Sequence, residues 1–173
     1  MYKGSNKHFI LKGYSDAYWA GNMDTRRSTT GYCFILGNCV VSWASRKQRS
    51  VALSSTESEY MALSKASTDA IWLRRLLISL QCPQPNPTTI FSDNQSEIQL
   101  TINPRFHDKT KHIAIKVHFI REQVADGQVQ LLYCSTSEMA ADILTKSLPK
   151  PKHYHCLHLM GLDSEDDLKQ GGS

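Results

Sequence analysis

Residues 54–80 read S-S-T-E-S-E-Y-M-A-L-S-K-A-S-T-D-A-I-W-L-R-R-L-L-I-S-L, and this stretch predicts one long helix. Ser54 and Glu57 have the spacing of a capping box, in which each side chain bonds a backbone N–H group that the first helical turn leaves unpaired. One face of the helix is predicted to be buried, because apolar residues recur at spacings of three and four. This stripe comprises Leu63, Ala66, Ala70, Leu73, Leu77 and Leu80.

Strands are predicted on both sides of this helix. Five segments are rich in β-branched and aromatic residues, at 9–16, 29–36, 39–44, 88–92 and 129–134. The first three are joined by a polar loop and by a Gly37-Asn38 turn, which indicates an antiparallel meander. Further helices are predicted after Asp93 and at 109–125, 135–148 and 150–162. Ser135 and Glu138 form a second capping pattern, which opens the helix at 135–148.

The order of elements, β-β-β-α-β-α-α-β-α, predicts an α/β fold with a mixed sheet and helices packed on its faces. A packed core is expected, since 40% of the 173 residues are hydrophobic and 21% are charged. We assign the main domain to 9–149 and a helical extension to 150–162. Residues 1–8 form a short N-terminal stub, and the acidic, then glycine-rich tail at 163–173 is predicted to be disordered.

Charge and cysteine content limit the classes of function. The net charge of +4 permits a polyanionic partner without requiring one. The five cysteines include no C-x-x-C pair, which indicates reduced thiols in an intracellular protein. No run of 18 apolar residues predicts a membrane span, and the first residues lack the apolar stretch of a secretory signal.

Four acidic residues lie where strands end or where a helix faces the sheet. Asp16 ends the first predicted strand and Asp93 follows the fourth, and ligand sites in open α/β sheets lie beyond such strand ends. In the long helix, Glu59 lies on the apolar stripe and points at the sheet, whereas Glu57, rotated by roughly 200°, caps the helix. Asp142 lies one turn inside the helix that the second capping pattern opens.

Inward-facing carboxylates are costly unless they are paired or bind a metal ion, and several near one sheet edge repel each other. A divalent cation removes that repulsion, and ligands that are all oxygen suit Mg²⁺. Two such ions about 4 Å apart activate water and stabilise the leaving oxygen in phosphodiester hydrolysis. The alternative for Asp93 is a helix N-cap, and spacing alone does not bring the four acids together.

Several strings, spread over residues 9–162, occur in the same order in a known family. They include G-Y-S-D-A from 13, V-S-W-A-S-R-K-Q-R-S-V-A-L-S-S-T-E-S-E-Y-M-A-L from 41, F-S-D-N-Q-S from 91, T-K-H-I from 110, H-F-I-R-E from 118 and A-D-I-L-T-K from 141. The chain thereby resembles the ribonuclease H domain of Copia-type long-terminal-repeat retrotransposon Pol polyproteins. This resemblance implies a ribonuclease H-like fold, a five-stranded mixed sheet flanked by helices.

The resemblance also implies a function. It implies that Asp16, Glu59, Asp93 and Asp142 are the catalytic and metal-binding residues, with two Mg²⁺ ions, or Mn²⁺, as cofactor. The implied reaction is endonucleolytic cleavage of the RNA strand of an RNA–DNA hybrid during reverse transcription, leaving 3′-hydroxyl and 5′-phosphate ends. The implied partners are that hybrid and the reverse transcriptase domain of the same polyprotein, with no membrane. The implied location is the cytoplasm, in virus-like particles, or the nucleus, and the oligomeric state is open.

Contacts to the hybrid are expected from basic and amide side chains. Phosphate contacts of this kind are independent of base sequence and sensitive to salt. The alternatives are a solvated charged face for the basic residues and helix capping for the amides. The expected contact residues are Arg26, Arg27, Arg46, Lys47, Arg49, Asn94, Gln95, Lys111 and His112.

The chain departs from the family pattern at Tyr18 and Ala114, where acidic or amide residues are usual, at Glu97, where a small residue is usual, and at Ser147, where Pro is usual. The departures favour an alternative function, a catalytically weakened or inactive fragment that serves only as a nucleic-acid-binding or interaction module. A DNA-cutting relative such as an integrase core is disfavoured, because its D-D-E spacing is missing.

The tryptophans are expected to be packing residues, namely Trp19, Trp43 and Trp72.

Overall fold

A five-stranded mixed sheet forms the centre of the fold, as predicted. The computed structural model describes residues 9–19, 26–102 and 111–162, so the stub at 1–8 and the tail at 163–173 lie outside it. The strands lie in the spatial order β3-β2-β1-β4-β5, with β1 to β3 antiparallel and β4 and β5 parallel to β1. They are β1 (Leu11–Tyr18), β2 (Thr29–Leu36), β3 (Cys39–Lys47), β4 (Thr88–Ser92) and β5 (Val129–Tyr133).

Strands β2 and β4 have the predicted bounds, and β5 ends one residue early. At their C-terminal ends, β1 and β3 run two and three residues further than predicted, and β1 also begins two residues later. They extend because Tyr18 pairs with Thr29, which in turn pairs with Lys47, so the three strands continue side by side through a polar stretch. Tertiary pairing overrides local sequence preference here. As a result, Asp16 lies inside β1, and β3 carries Lys47 to the same edge of the sheet as the C-terminal end of β1.

The long helix, α1, covers Ser55–Ser79. Ser54 caps it by accepting a hydrogen bond from the Glu57 N–H at 3.1 Å. The return bond differs from the prediction, because Glu57 Oε2 accepts from the N–H of Leu53, at 2.6 Å, and not from that of Ser54. The predicted stripe is buried up to Leu77, but Leu80 is 65% exposed because the helix ends before it.

The remaining helices are α2 (Gln95–Ile102), α3 (Lys111–Ala125) and α4 (Lys150–Leu159). The helix predicted at 135–148 is wrong, because this segment forms two 3₁₀ turns, Thr136–Glu138 and Ala140–Leu144. Ser135 supplies no side-chain cap, since its Oγ lies 2.7 Å from Ser137 Oγ instead. Asp142 is therefore held in a tight turn and not on a regular helix.

Two apolar clusters cover the two faces of the sheet. Phe34 belongs to the cluster under α1, and Tyr14 and Cys33 belong to the cluster under the 3₁₀ turns and α4. Side chains alternate along a strand, so Asp16, two residues after Tyr14, faces the 3₁₀ turns as well. The second 3₁₀ turn packs against both β1 and β2 and covers this acid.

The expectation that the tryptophans are packing residues is wrong for two of them. Trp43 is 61% exposed on the edge strand β3, and Trp72 is 59% exposed on the outward face of α1. Trp19 is half-exposed and donates from Nε1 to the carbonyl of Ala52 at 3.2 Å. Across residues 9–19, 26–102 and 111–162, no helix is long and apolar enough to cross a membrane.

Candidate active site

Asp16 and Asp93 stand at matching positions of two adjacent parallel strands. Tyr14 pairs with Phe91, so the two acids lie two residues further along β1 and along the continuation of β4. The negative charge of Asp93 contributes to raising the pKa of Asp16. Asp93 accepts a hydrogen bond at Oδ2 from Thr136 Oγ1, at 2.9 Å, and its side chain is therefore directed to the 3₁₀ turns.

Glu59 projects from the first turns of α1 toward the strand that carries Asp16. Its side chain is buried, which confirms the predicted inward orientation, and the backbone N–H of Ala17 donates a hydrogen bond to it. Burial raises the pKa of Glu59 to about 10, and the charges of Glu97, Asp16 and Asp93 add to this effect. Without a cation, the Glu59 carboxyl is therefore protonated at neutral pH.

Asp142 is fully buried in the second 3₁₀ turn and is paired with two lysines. Lys146 Nζ lies 2.8 Å from Asp142 Oδ1, and Lys152 Nζ, from α4, donates to Asp142 Oδ2. A buried carboxylate without partners is strongly destabilising. The two ammonium groups therefore balance the charge of Asp142.

Asp16 is the common neighbour of the other acids. Thr145 Oγ1 donates a hydrogen bond to Asp16 Oδ2, and Lys146 Nζ lies 3.6 Å from the same oxygen. Burial raises the pKa of Asp16 to about 6; Lys146 and Thr145 oppose this rise, and the charges of Asp142 and Asp93 add to it. Since the charge of Asp16 also raises the pKa of Glu59, the structure brings the four predicted acids into one cluster, whose catalytic role remains a prediction.

Glu97 is a fifth acid of this cluster, which the sequence pattern did not assign. It is 1% exposed in α2, and Ser92 Oγ donates to its Oε2 at 2.8 Å. After burial, its charge is the largest influence that raises the pKa of Glu59. The available signal was the departure from the family pattern, because a small residue is usual at this position.

The donor set suits a hard divalent cation, because all of its ligands are carboxylate oxygens. As the side chains stand, no three His, Cys, Asp or Glu residues in the described ranges are arranged to hold a metal ion. Both oxygens of Asp142 face lysine ammonium groups. The residues thus fit a divalent cation in donor type, and Lys146 now supplies positive charge between Asp16 and Asp142.

The predicted basic contact residues lie at the same edge of the sheet as the acids. Arg26 and Arg27 precede β2, Arg46 and Lys47 end β3, and Arg49 follows it. All five are exposed. β2 pairs with β1, which carries Asp16, and β3 lies one strand further out, so these exposed cations at the strand ends are available to a polyanion.

The other predicted contact residues are less informative. Asn94 caps α2, because its Oδ1 accepts from the Glu97 N–H at 3.2 Å, so the capping alternative applies to it. Gln95 is exposed at the first position of α2. Lys111 and His112 begin α3, but their side chains lie outside the described part of the structure.

The sequence is similar to known proteins. It is 44% identical over 155 residues to the retrovirus-related Pol polyprotein of transposon TNT 1-94 from Nicotiana tabacum. The match covers 90% of this chain but only 12% of the relative, so the chain spans about an eighth of that protein's length. No protein-family model matches the chain.

The fold is similar to solved structures. LC11-RNase H1 in complex with an RNA/DNA hybrid superposes with a TM-score of 0.58 at 14% identity, over 78% of this chain and 93% of that one. The foamy viral protease-reverse transcriptase in complex with an RNA/DNA hybrid gives a TM-score of 0.57 at 12% identity, over 89% of this chain and 22% of that one. The chain therefore has the ribonuclease H fold. Within that fold, it is homologous to a segment of the retrovirus-related Pol polyproteins of plant transposons.

Proposed function

We propose that the chain is the ribonuclease H domain of a Copia-type retrotransposon and cuts the RNA strand of RNA–DNA hybrids. The observation that supports this proposal is the placement of the four acids at the strand ends of a ribonuclease H-fold sheet. Lys146 lies between Asp16 and Asp142, the N–H of Ala17 beside Asp16 binds Glu59, and Asp93 matches Asp16 in the register of β1 and β4. Two Mg²⁺ ions, or Mn²⁺, are the proposed cofactor. When bound, such ions supply an activated water and stabilise the leaving oxygen.

The chain's own residues prepare this site in distinct ways. Asp16 is fixed by Thr145 and Asp142 by the 3₁₀ turn, so both present carboxylates with defined positions. Glu59 holds a proton at its carboxyl when no cation is near, and it must release that proton when it becomes a ligand. Metal binding should therefore become stronger as the pH rises.

The hybrid is the proposed substrate because exposed cations flank the acids. Arg46 and Lys47 end β3, which is separated from the strand of Asp16 by β2 alone, so these exposed cations are placed to meet phosphates. An A-form-like duplex is recognised through its shape, its backbone and its 2′-hydroxyl groups. The reverse transcriptase of the same polyprotein is the proposed partner, and cytoplasmic virus-like particles or the nucleus are the proposed location.

One observation favours the alternative function, a binding module without catalysis. Lys146 and Lys152 neutralise Asp142 in the absence of metal, and Glu97, which departs from the family pattern, lies within the acidic cluster. If the lysines cannot be displaced, the chain binds hybrid and does not cut it. The two functions thus differ in whether the chain cuts the RNA strand of a hybrid that it binds.

The deciding experiment is incubation of the full chain with an end-labelled RNA–DNA hybrid, with Mg²⁺ or with EDTA. We expect RNA cleavage only with Mg²⁺, and no cleavage by D16N, whose melting temperature should match or exceed that of the wild type. E57Q is the matched control, because a glutamine still caps the helix and the residue lies outside the cluster. Hybrid binding without metal-dependent cleavage at high protein concentration would establish the alternative instead.

A further inference from the structure

Two lysines lie where a cation-binding site would need to be open. Lys146 Nζ stands 2.8 Å from Asp142 Oδ1 and 3.6 Å from Asp16 Oδ2, and Lys152 Nζ contacts the other oxygen of Asp142. We propose that Lys146 and Lys152 are internal counter-ions, which a divalent cation must displace and which thereby set the metal affinity of the site. This inference rests on the proposed function, since it concerns the same carboxylates.

The two lysines are far more able to move than the acid that they contact. Asp142 has no exposed side-chain area, whereas the side chains of Lys146 and Lys152 are 27% and 29% exposed. Lysine carries its charge on a flexible four-carbon stem, so its ammonium group can swing into solvent while its backbone stays in place. An incoming cation therefore exchanges with the ammonium groups and leaves Asp142 where it is.

The pair also has a role when no metal is bound. A buried, unpaired carboxylate destabilises the folded state, and here it lies near a second buried acid, Asp16. Lys146 bridges the two acids from the position after Thr145, and Lys152 reaches Asp142 from α4. The metal-free fold is thus stabilised by the same lysine charges that compete with the metal. Removing one of these charges must therefore lower the stability of the metal-free protein and raise its metal affinity together.

The test measures Mg²⁺ binding by calorimetry, together with the melting temperature with and without Mg²⁺. We expect K146M to bind Mg²⁺ roughly tenfold more tightly, because a unit positive charge next to the ion is removed. The metal-free K146M protein should melt at a lower temperature than the wild type and should gain more from Mg²⁺. K152M should behave in the same way, and it serves as the second variant should K146M fail to fold.

Two further variants serve as controls. K146R keeps the positive charge and should keep the wild-type Mg²⁺ affinity. K150M removes a lysine at the start of α4 that lies over the ring of Tyr154, and it should leave both the Mg²⁺ affinity and the effect of Mg²⁺ on melting unchanged. A general change in net charge would shift K150M and K146M alike.

The outcomes separate this inference from the proposed function. If the wild type binds Mg²⁺ and cuts hybrid while K146M and K152M have unchanged or weaker Mg²⁺ affinity, the counter-ion role is wrong and the nuclease assignment stands. A melting temperature that falls equally with and without Mg²⁺ also overturns it, because that pattern belongs to a purely structural salt bridge. If neither the wild type nor either lysine variant binds Mg²⁺ at millimolar concentration, both proposals fail.

Discussion

Gly31 lies directly opposite Asp16 in the antiparallel register of β1 and β2, and its missing side chain leaves room for the 3₁₀ turn above it. A Cβ atom on Gly31 would stand 2.5 Å from Thr145 Cγ2 and 2.9 Å from Leu144 Cβ. Thr145 is the residue that donates a hydrogen bond to Asp16. The glycine therefore determines how closely the turn that carries Asp142 can approach the strand that carries Asp16.

We predict that G31A pushes this turn away from the sheet. Overpacking of this kind costs about 1–3 kcal/mol of stability, which denaturant unfolding would detect. Cleavage of hybrid should fall more than the folded fraction does, because the distance between Asp16 and Asp142 changes. S45A is the control, since Ser45 pairs with Gly31 from β3 and is exposed. Wild-type stability and cleavage in G31A would show that the turn does not depend on this glycine.

The pH dependence of stability should report the protonation of Glu59. Its pKa is about 10 in the folded protein against an ordinary value of 4.5, so the folded state keeps a proton that the unfolded state loses. The stabilisation that this proton gives the folded state is complete below the pKa of Glu59 in the unfolded chain. It is lost as the pH rises toward the pKa of Glu59 in the folded protein. The free energy of unfolding of the metal-free protein should thus fall, by on the order of 1 kcal/mol per pH unit from Glu59, as the pH rises from the ordinary pKa toward the folded one.

E59Q removes the contribution of Glu59 to the pH dependence of the unfolding free energy. The variant should become progressively more stable than the wild type as the pH rises from 6 to 8, as measured by urea unfolding in EDTA. E57Q is matched in chemistry and lies two residues away, and its unfolding free energy should run parallel to that of the wild type. Parallel curves for E59Q and the wild type would mean that Glu59 is ionised in the metal-free fold.

Glu97 should shift the titration of Glu59. E97Q removes the charge that most raises the pKa of Glu59 after burial, and an amide oxygen can still accept the hydrogen bond from Ser92. We predict that the pH-dependent loss of stability in E97Q ends at a lower pH than in the wild type. The double variant E59Q/E97Q should deviate from additivity by at least about 0.5 kcal/mol, as expected for interacting neighbours. Additive effects would place Glu97 outside the cluster.

Local periodicity explains which elements could be predicted from the sequence. The spacing of apolar residues in α1 distinguished Glu59 from Glu57, because residues two apart lie on opposite sides of a helix. β2 and β4 are short, β-branched runs between turn residues, and their bounds agree with the structure. In each of these elements, the residue spacing that predicts the structure lies within one continuous stretch of chain.

The features that could not be predicted from the sequence depend on contacts between residues that are distant along the chain. The pattern at Ser135 and Glu138 resembles a capping box, but packing of the segment against β1 and β2 gives 3₁₀ turns instead. The approach of Lys152 to Asp142 follows from how α4 packs on those turns, and the exposure of Trp43 follows from the position of β3 at the sheet edge. No spacing in the sequence reveals these relationships.

The exposed cations that end β3 provide a test of how the hybrid is held. R46A/K47A removes two charges from the sheet edge near Asp16, and exposed side chains can be truncated with little effect on stability. Each lost phosphate contact lowers the slope of log affinity against log salt by about 0.7–0.9, so two should lower it by roughly 1.4–1.8. K65A, on the outward face of α1, should keep the wild-type slope, and filter binding at several salt concentrations measures all three proteins. If R46A/K47A and K65A lose the same affinity per charge removed, the hybrid responds to net charge alone and the edge of β3 is not its binding surface.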